Sequence, residues 1–137
     1  MAHAFRMSDL GLLHYYLDIE VRQSAEGTLI SQRAYATKIL EKSGMAGCNL
    51  CQVPMAMRLK LSKRSTEPLV DATAYKSIVG SLRYVVNTRP DLAFAVGYVS
   101  RFLEEPRKDH LAAVKQILRY VAGTKSWGLR YERKKEE

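Results

Sequence analysis

The stretch Tyr75–Val96, YKSIVGSLRYVVNTRPDLAFAV, decides the fold of this chain, because it predicts two helices separated by a break at Asn87–Pro90. Apolar residues recur at helical spacing in the first helix and form one stripe. This stripe consists of Tyr75, Ile78, Val79, Leu82 and Val86. Gly80 lies near the middle of the same helix, although glycine at such a position costs about 1 kcal/mol relative to alanine.

The outer face of this helix carries a row of residues that we call the polar line. Its members Lys76, Gly80, Arg83 and Asn87 follow at i, i+4, i+7 and i+11, and therefore lie along one side of the helix. Because Gly80 has no side chain, another backbone can approach between two cations and an amide. The polar line is typical of a helix that lies against a nucleic-acid backbone or in a shallow minor groove. Equally, Gly80 would let a neighbouring helix pack closely.

Two more helices are predicted after the first one. Asp71 or Thr73 caps the first helix, while Pro90 and Pro106 start the second and third, and Gly123 ends the third. The inward-facing residues are Leu92, Val96, Val99 and Phe102 or Leu103 in the second helix, and Leu111, Val114, Ile117, Leu118 and Val121 in the third. Since the links between these helices are short, they predict a compact bundle.

A β-hairpin is predicted before the bundle, at Leu13–Gln32. The segment from Leu12, LLHYYLDIEVRQ, is rich in Tyr, Ile and Val and predicts one strand. Gly27 is the predicted turn residue, and Thr28–Ile30 is the predicted return strand. A short apolar segment, Trp127–Tyr131, predicts a further strand near the C-terminus.

A helix and a basic linker connect the hairpin to the bundle. Ser31 is the candidate N-cap of the helix, Gly44 is its candidate stop, and its shared apolar face consists of Tyr35, Ile39 and Leu40. Residues 45–71 show no sustained periodicity, so we expect them to pack along the surface or to act as a mobile arm. Their basic cluster, which either follows a nucleic-acid backbone or forms a solvated loop, consists of Arg58, Lys60, Lys63 and Arg64.

These elements predict an α+β fold: an N-terminal β-hairpin, then a mainly α-helical bundle and a short C-terminal strand. Four segments are expected. They are the hairpin at residues 1–32, the transition helix and basic linker at 33–70, the three-helix bundle at 71–123, and the short strand with a charged tail at 124–137.

The composition favours a polyanionic partner. Lys and Arg total 22 against 14 Asp and Glu, which gives a net charge of +8. Nucleic acid is the first expectation and an anionic membrane surface the second, while a basic protein with no such partner remains the plain alternative. No apolar run approaches the ~18 residues of a membrane span. With nucleic acid as the first expectation, no membrane partner is expected.

The cysteines and other reactive residues predict no catalytic or metal site. Cys48 and Cys51 form a C-x2-C pair without a second ligand pair, so structural thiols are expected rather than a zinc site. Two cysteines make no disulfide framework, which indicates a reducing compartment, the cytosol or the nucleus. No cofactor is expected.

Several strings in this chain resemble the reverse transcriptases of copia-type LTR retrotransposons, in the part just after the catalytic palm. The strings are FRMSDLGLLHYYLDIEV, ISQRAYATKILEKSGM, VPMAMRLKLS, AYKSIVGSLRYVVNTRPDLAFAVGYVSRFLEEPRKDHLAAVKQILRYVAGT and GLRY. They run nearly end to end in the order of the family. The resemblance therefore covers almost the whole chain.

The resemblance implies a place for each element. The hairpin looks like the primer grip, and the three helices look like the thumb, whose first helix follows the minor groove of the template–primer duplex. This agrees with the polar line and adds Tyr84 as a stacking or sugar contact. On the third helix, Lys115 and Arg119 at i, i+4 form either a second phosphate track or a solvated face. The implied partner is an RNA–DNA or DNA duplex, bound weakly and without regard to sequence.

The chain also departs from the family pattern. Asp18 stands where the family usually has glycine, and a carboxylate there would disturb the hairpin or repel a phosphate. The family's catalytic carboxylates are expected before Phe5 and after Glu137, so we expect a fragment that is not an enzyme by itself. The alternative is a protein-interaction or regulatory module that self-associates, as a homodimer or with a protein partner, through surfaces left uncovered.

Overall fold

A computed structural model of the protein describes residues 13–16 and 19–132, with side chains described from Ile19 onward. These ranges contain a four-stranded sheet and four α-helices, which confirms the predicted α+β fold. The strands are β1 (Leu13–Tyr16), β2 (Ile19–Ser24), β3 (Gly27–Ser31) and β4 (Gly128–Glu132). The helices are α1 (Arg33–Lys42), α2 (Ala72–Val85), α3 (Ala93–Val99) and α4 (Lys108–Gly123), and 3-10 turns at Pro90–Leu92 and Ser100–Phe102 extend α3 at both ends.

The sheet is antiparallel with strand order β1-β2-β3-β4. The prediction of one strand from Leu12 was wrong, because β1 and β2 are two strands paired with each other. The predicted hairpin corresponds to β2 and β3, and its turn lies at Ala25–Glu26, so Gly27 opens β3 instead of forming the turn. The predicted C-terminal strand is present as β4 and pairs along the free edge of β3.

Two glycines let β4 approach β3. Gly27 pairs with Glu132 at one end of the ladder, and Gly128 pairs with Ser31 at the other end. A Cβ atom at Gly128 would overlap the carbonyl oxygen of Ile30, and one at Gly27 would overlap the carbonyl oxygen of Tyr131. The close pairing of β4 with β3 therefore depends on the absence of side chains at both positions.

The N-terminus of α1 is capped from another element. Ser31 as N-cap was wrong, because Ser31 is the buried last residue of β3 and Gln32 occupies the cap position without a capping hydrogen bond of its own. Instead, the backbone N–H of Ala34 donates to the carboxylate of Glu20 on β2, with an N–O distance of 2.8 Å. A carboxylate at this end of a helix also interacts favourably with the helix dipole.

The C-terminus of α1 ends as predicted. Gly44 adopts a left-handed backbone conformation, with φ of 74°, which glycine tolerates without a steric penalty. The N–H of Gly44 donates to the carbonyl of Glu41, and the N–H of Met45 donates to that of Leu40 at 2.7 Å. This is a Schellman motif, and it turns the chain away from the helix axis.

The four helices share one hydrophobic core, in which α1 and α3 each pack against both α2 and α4. The fully buried members include Tyr75, Val79 and Leu82 of α2, Leu92, Val96 and Val99 around α3, and Val114, Ile117, Leu118 and Val121 of α4. Ile78, Val86, Leu103 and Leu111, predicted to face inward, are half-buried at the rim. None of the helices in the described ranges has the length and apolar character needed to span a membrane.

The predicted helix starts are close to those observed. The Asp71 carboxylate accepts hydrogen bonds from the N–H groups of Thr73 (2.9 Å) and Ala74 (3.3 Å), and therefore caps α2. Pro106 lies just before α4, whose cap residue is Arg107. The linker between α1 and α2 has no regular structure, yet it is packed along the surface, because its Met55, Leu59 and Leu61 contact the core.

Candidate nucleic-acid interface

The polar line lies on the exposed side of α2. Capping by Asp71 starts the helix, and burial of Tyr75, Val79 and Leu82 turns this stripe into the core. The opposite flank is therefore left in solvent. Its members Lys76, Gly80, Arg83 and Asn87 are all exposed, as predicted.

Gly80 faces open space. A Cβ atom built on Gly80 would meet no described atom within 4 Å, so the interpretation that Gly80 serves close packing of a neighbouring helix was wrong. The φ angle of Gly80 is not positive, so the backbone conformation does not require glycine either. Nothing within the described fold accounts for a glycine at this position.

The cations that flank Gly80 have no ion-pair partner in the described part of the chain. No described carboxylate lies within ion-pair distance of Lys76 or Arg83. The side chain of Asn87, one turn beyond Arg83, is exposed just after the end of α2. The line thus presents two positive charges and an amide beside a bare backbone position.

Tyr84 is not on the polar line. Its half-buried ring packs edge-on against Tyr35 of α1, with 4.9 Å between the ring centroids and 71° between the planes. The carbonyl of Tyr84 accepts a hydrogen bond of 3.2 Å from the buried side chain of Gln32, which also donates to the Thr88 hydroxyl at 3.0 Å. The structure therefore places Tyr84 at the junction of α1 and α2.

Lys115 and Arg119 lie on α4, which is diagonal to α2 in the four-helix arrangement. Lys115 is exposed, whereas Arg119 is half-buried and its carbonyl accepts the N–H of Cys51 from the linker. The structure does not bring this pair together with the polar line. The two sets of cations face different sides of the bundle.

A buried arginine holds the corner between α2 and α3, which the stretch TRPD at residues 88–91 was expected to fix, although the burial of Arg89 was not predicted. Arg89 is 3% exposed, and its guanidinium donates two hydrogen bonds to the Asp91 carboxylate, at 3.0 and 2.8 Å. It also donates to the carbonyl and the hydroxyl of Thr124 at the end of α4, at 3.0 and 2.9 Å. Its charged group lies 5.6 Å from the ring centroid of Tyr120 and 5.4 Å from that of Trp127.

The pKa values at this corner reflect the ion pair. Burial raises the pKa of Asp91, but the hydrogen bonds and charge of Arg89 outweigh burial and lower the pKa below its ordinary value. Burial raises the pKa of Tyr120, and the hydrogen bond that its hydroxyl donates to Asp91 raises it further. The corner therefore keeps Asp91 ionised, and this fixes the end of α2 from which Asn87 projects.

The described residues contain no group of three or more His, Cys, Asp or Glu side chains that could hold a metal ion. Cys48 and Cys51 are both free thiols and half-buried in the linker. Asp18, which departs from the family pattern, lies outside the described residues.

Comparisons of the sequence with known proteins identify a family and several relatives. A family model described as reverse transcriptase (RNA-dependent DNA polymerase) matches residues 1–57. The chain is 41% identical, over 129 residues, to the retrovirus-related Pol polyprotein from transposon RE1 of Arabidopsis thaliana, a match that covers 94% of this chain and 9% of that protein. It is also 41% identical, over 133 residues, to the Pol polyprotein from transposon TNT 1-94 of Nicotiana tabacum, covering 90% of this chain and 10% of that protein.

The chain corresponds to part of a copia-type reverse transcriptase. This reverse transcriptase region spans about a tenth of the polyproteins that it matches. It also spans 53% of an uncharacterized mitochondrial protein of Arabidopsis thaliana, to which it is 38% identical over 129 residues. No solved structure matches the chain significantly.

Proposed function

We propose that the polar line of α2 binds a nucleic-acid duplex, an RNA–DNA hybrid or duplex DNA, without regard to its sequence. The observation that carries this proposal is the open position at Gly80 between Lys76 and Arg83, two cations that have no carboxylate partner among the described residues. Because neither packing nor φ accounts for Gly80, we assign it to the approach of a ligand backbone. Cations and amides that meet phosphates and sugars position a duplex but do not discriminate between bases.

In this proposal the elements have the roles implied by the reverse transcriptase family. The β2–β3 hairpin acts as the primer grip, and α2–α4 act as the thumb, with the polar line along the minor groove. The role proposed for the described residues is binding, not catalysis. The family resemblance and the basic surface of α2 support these assignments.

Gly80→Leu tests the approach of a ligand backbone. Leucine favours a helix by about 0.8 kcal/mol over glycine, and its side chain would enter open space, so the variant stays folded. It would however keep a duplex away from the helix, and we expect a loss of affinity of about tenfold or more. Fluorescence anisotropy with a labelled RNA–DNA hybrid measures the affinity. Ala112→Leu, on the exposed side of α4, is the matched control.

Lys76→Gln combined with Arg83→Gln tests the charges. We expect the double variant to bind every tested sequence more weakly. The slope of log K against log salt should be reduced by about 2, because each lost phosphate contact reduces it by about 1. If both the Gly80→Leu variant and this double variant bind as the wild type does, the polar line does not contact nucleic acid.

A second candidate function is self-association through the sheet edge. β4 is an edge strand of the described sheet; Trp127 just before it is 53% exposed, and Tyr131 within it is 57% exposed. An edge strand with exposed aromatic side chains can pair with a second copy. Light scattering would then give the mass of a dimer, which Trp127→Ser combined with Tyr131→Lys would dissociate. A mass equal to one chain counts against this function.

A further inference from the structure

The linker carries a second row of cations, which we call the linker strip: Arg58, Lys60 and Lys63. The three side chains are exposed, whereas Leu59 and Leu61 between them pack against the core, so the segment alternates between surface and interior. Arg58 has a left-handed backbone conformation, with φ of 63°, that only a few per cent of residues other than glycine adopt. The segment is thus held in a defined path and is not a loose loop.

Hydrogen bonds from two helices hold the linker strip. The N–H of Leu61 donates to the hydroxyl of Tyr98 on α3 at 2.7 Å. The carbonyl of Ser62 accepts from Nε2 of the fully buried His110 on α4 at 2.9 Å, because Nδ1 of His110 accepts the N–H of Arg107 and leaves the proton on Nε2. Cations on an ordered backbone lose less conformational entropy on binding than cations on a mobile arm.

Arg101 extends the strip from α3. Its guanidinium lies 5.3 Å from the ring centroid of Tyr98, the same residue that holds Leu61. Lys63 and Arg101 line one cleft of about 150 Å³, together with Phe102, Glu104 and Glu105. Even with these two acidic residues nearby, no described carboxylate lies within ion-pair distance of Arg101 or of the linker strip.

The polar line and the linker strip flank the exposed side of α3. Ser77 and Ser81 of α2 line the cleft between α2 and α1. The polar-line residues Lys76 and Gly80 each come one residue before these serines, so their positions are rotated from the serines by about 100° around the helix axis. The polar line is therefore on the side of α2 nearer to α3, while Tyr98 of α3 holds the linker strip. The exposed side of one helix, α3, therefore lies between the two rows.

The surface between the two rows is open. Gly97 of α3 is exposed, and a Cβ atom on it would meet no described atom within 4 Å, as at Gly80. Phe94, one turn earlier, is 79% exposed, and its ring centroid lies 6.1 Å from that of Tyr98. An exposed aromatic ring can stack on bases, and cations without a carboxylate partner among the described residues can contact phosphates, so this surface has the side chains that nucleic-acid contacts use.

We propose that the linker strip and Arg101 bind the phosphates of one strand of the duplex whose minor groove follows the polar line. This inference rests on the function proposed for the polar line. It assigns a ligand, the phosphates of one strand, to a linker without regular secondary structure.

The test is a salt titration of four proteins with a labelled RNA–DNA hybrid two helical turns long. The variants are Lys60→Gln/Lys63→Gln in the linker strip, Lys76→Gln/Arg83→Gln in the polar line, and Arg33→Gln/Lys42→Gln on α1. All six side chains are exposed, and each variant loses two positive charges. Anisotropy between about 50 and 200 mM salt gives the slope of log K against log salt.

We expect the linker variant to bind about tenfold more weakly at low salt, with its slope reduced by about 1–2, while the α1 variant stays close to wild type. Equal behaviour of the linker and α1 variants overturns the inference, because net charge alone would then explain binding. If only the polar-line variant matches the α1 control, the function proposed for the polar line fails and the linker strip is the main phosphate site. The two failures are therefore distinguishable.

The variant Tyr98→Phe tests whether binding depends on the ordered backbone of the linker strip, independently of the strip's charge. This variant keeps every cation but removes the hydroxyl that accepts the N–H of Leu61. We expect a smaller loss of affinity than in the linker variant, with an unchanged salt slope, at a temperature where circular dichroism shows the chain to be folded. An affinity equal to that of the wild type overturns the claim that an ordered linker is needed.

Discussion

Arg89 is a charged residue that is buried, and its role is to stabilise the fold. Four hydrogen bonds to Asp91 and Thr124 compensate for its removal from water and link the α2–α3 corner to the end of α4. The Asp91 side chain is partly exposed, but the carbonyl and hydroxyl of Thr124 are buried, so removing Arg89 is costly because these acceptors are left without their donor.

Replacing Arg89 by methionine, of similar length, should therefore lower the free energy of unfolding by about 3 kcal/mol. Urea denaturation followed by circular dichroism measures this loss. Arg101→Met, at an exposed position, is the matched control and should change stability by less than about 0.5 kcal/mol. Similar losses in both variants would contradict a structural role for Arg89.

The same corner predicts a pH dependence of stability. The pKa of Asp91 is lower in the folded chain than its ordinary value, so on acidification the unfolded chain takes up the proton first. The stabilisation is complete above about pH 4, the ordinary range of an aspartate, and is lost as the pH falls through the lower pKa of the folded state. Urea denaturation between neutral and acidic pH should show a shallower acid loss for Asp91→Asn than for wild type. Identical acid profiles would exclude Asp91 as a contributor.

At the scale of single residues, those features that depend on nearby positions in the chain, such as helix caps and breaks, could be predicted from the sequence. The break at Asn87–Pro90 and the cap at Asp71 were predicted from local patterns and are present. The burial of Arg89 was not predicted, because a charge normally indicates exposure and its partner Thr124 is 35 positions away. Tyr84 was similarly assigned to the surface, although Tyr35 of α1 covers part of its ring.

At the scale of elements, secondary structure was easier to predict than the pairing between elements. Helix α1 was expected from its periodicity, but its cap, Glu20, comes from a different strand that local reasoning does not connect to it. Strand β4 was expected from its composition. Its pairing with β3 was not expected, because the sequence of β4 does not indicate which strand it pairs with.

The pairing of β4 gives a prediction that opposes simple strand propensity. Valine favours strands more than glycine does, but at position 128 its Cβ atom would overlap the carbonyl of Ile30. Gly128→Val should therefore detach β4, lower the free energy of unfolding by about 2 kcal/mol, and remove the amide-exchange protection of residues 128–132. Hydrogen exchange followed by mass spectrometry measures the protection.

Arg130→Val is the control for this variant, because Arg130 is exposed in the same strand and pairs with Leu29. It should keep both stability and protection close to wild type. If Gly128→Val keeps the protection of β4, then the close approach at Gly128 does not determine the pairing.

At the scale of the whole molecule, the positive charge is unevenly compensated. Among the described ion pairs, Arg89 pairs with Asp91 at the corner between α2 and α3, and Arg107 pairs with Glu105 at the start of α4. The polar line and the linker strip, by contrast, have no carboxylate partners in the described part of the chain. The net charge of +8 could be read from the sequence, but its concentration around α3 depends on the path of the linker, which had no periodicity to predict it.

Because β4 is synthesised long after β3, its partner strand, the pairing of β3 with β4 is delayed during biosynthesis. β3 leaves the ribosome roughly a hundred residues before β4, an interval of about 5–20 s at usual rates of translation. During that time the β3 edge of the nascent hairpin has no partner and can recruit any extended segment nearby. A chaperone that protects this newly made polypeptide would have to cover one specific edge, and would be released when Gly128 emerges.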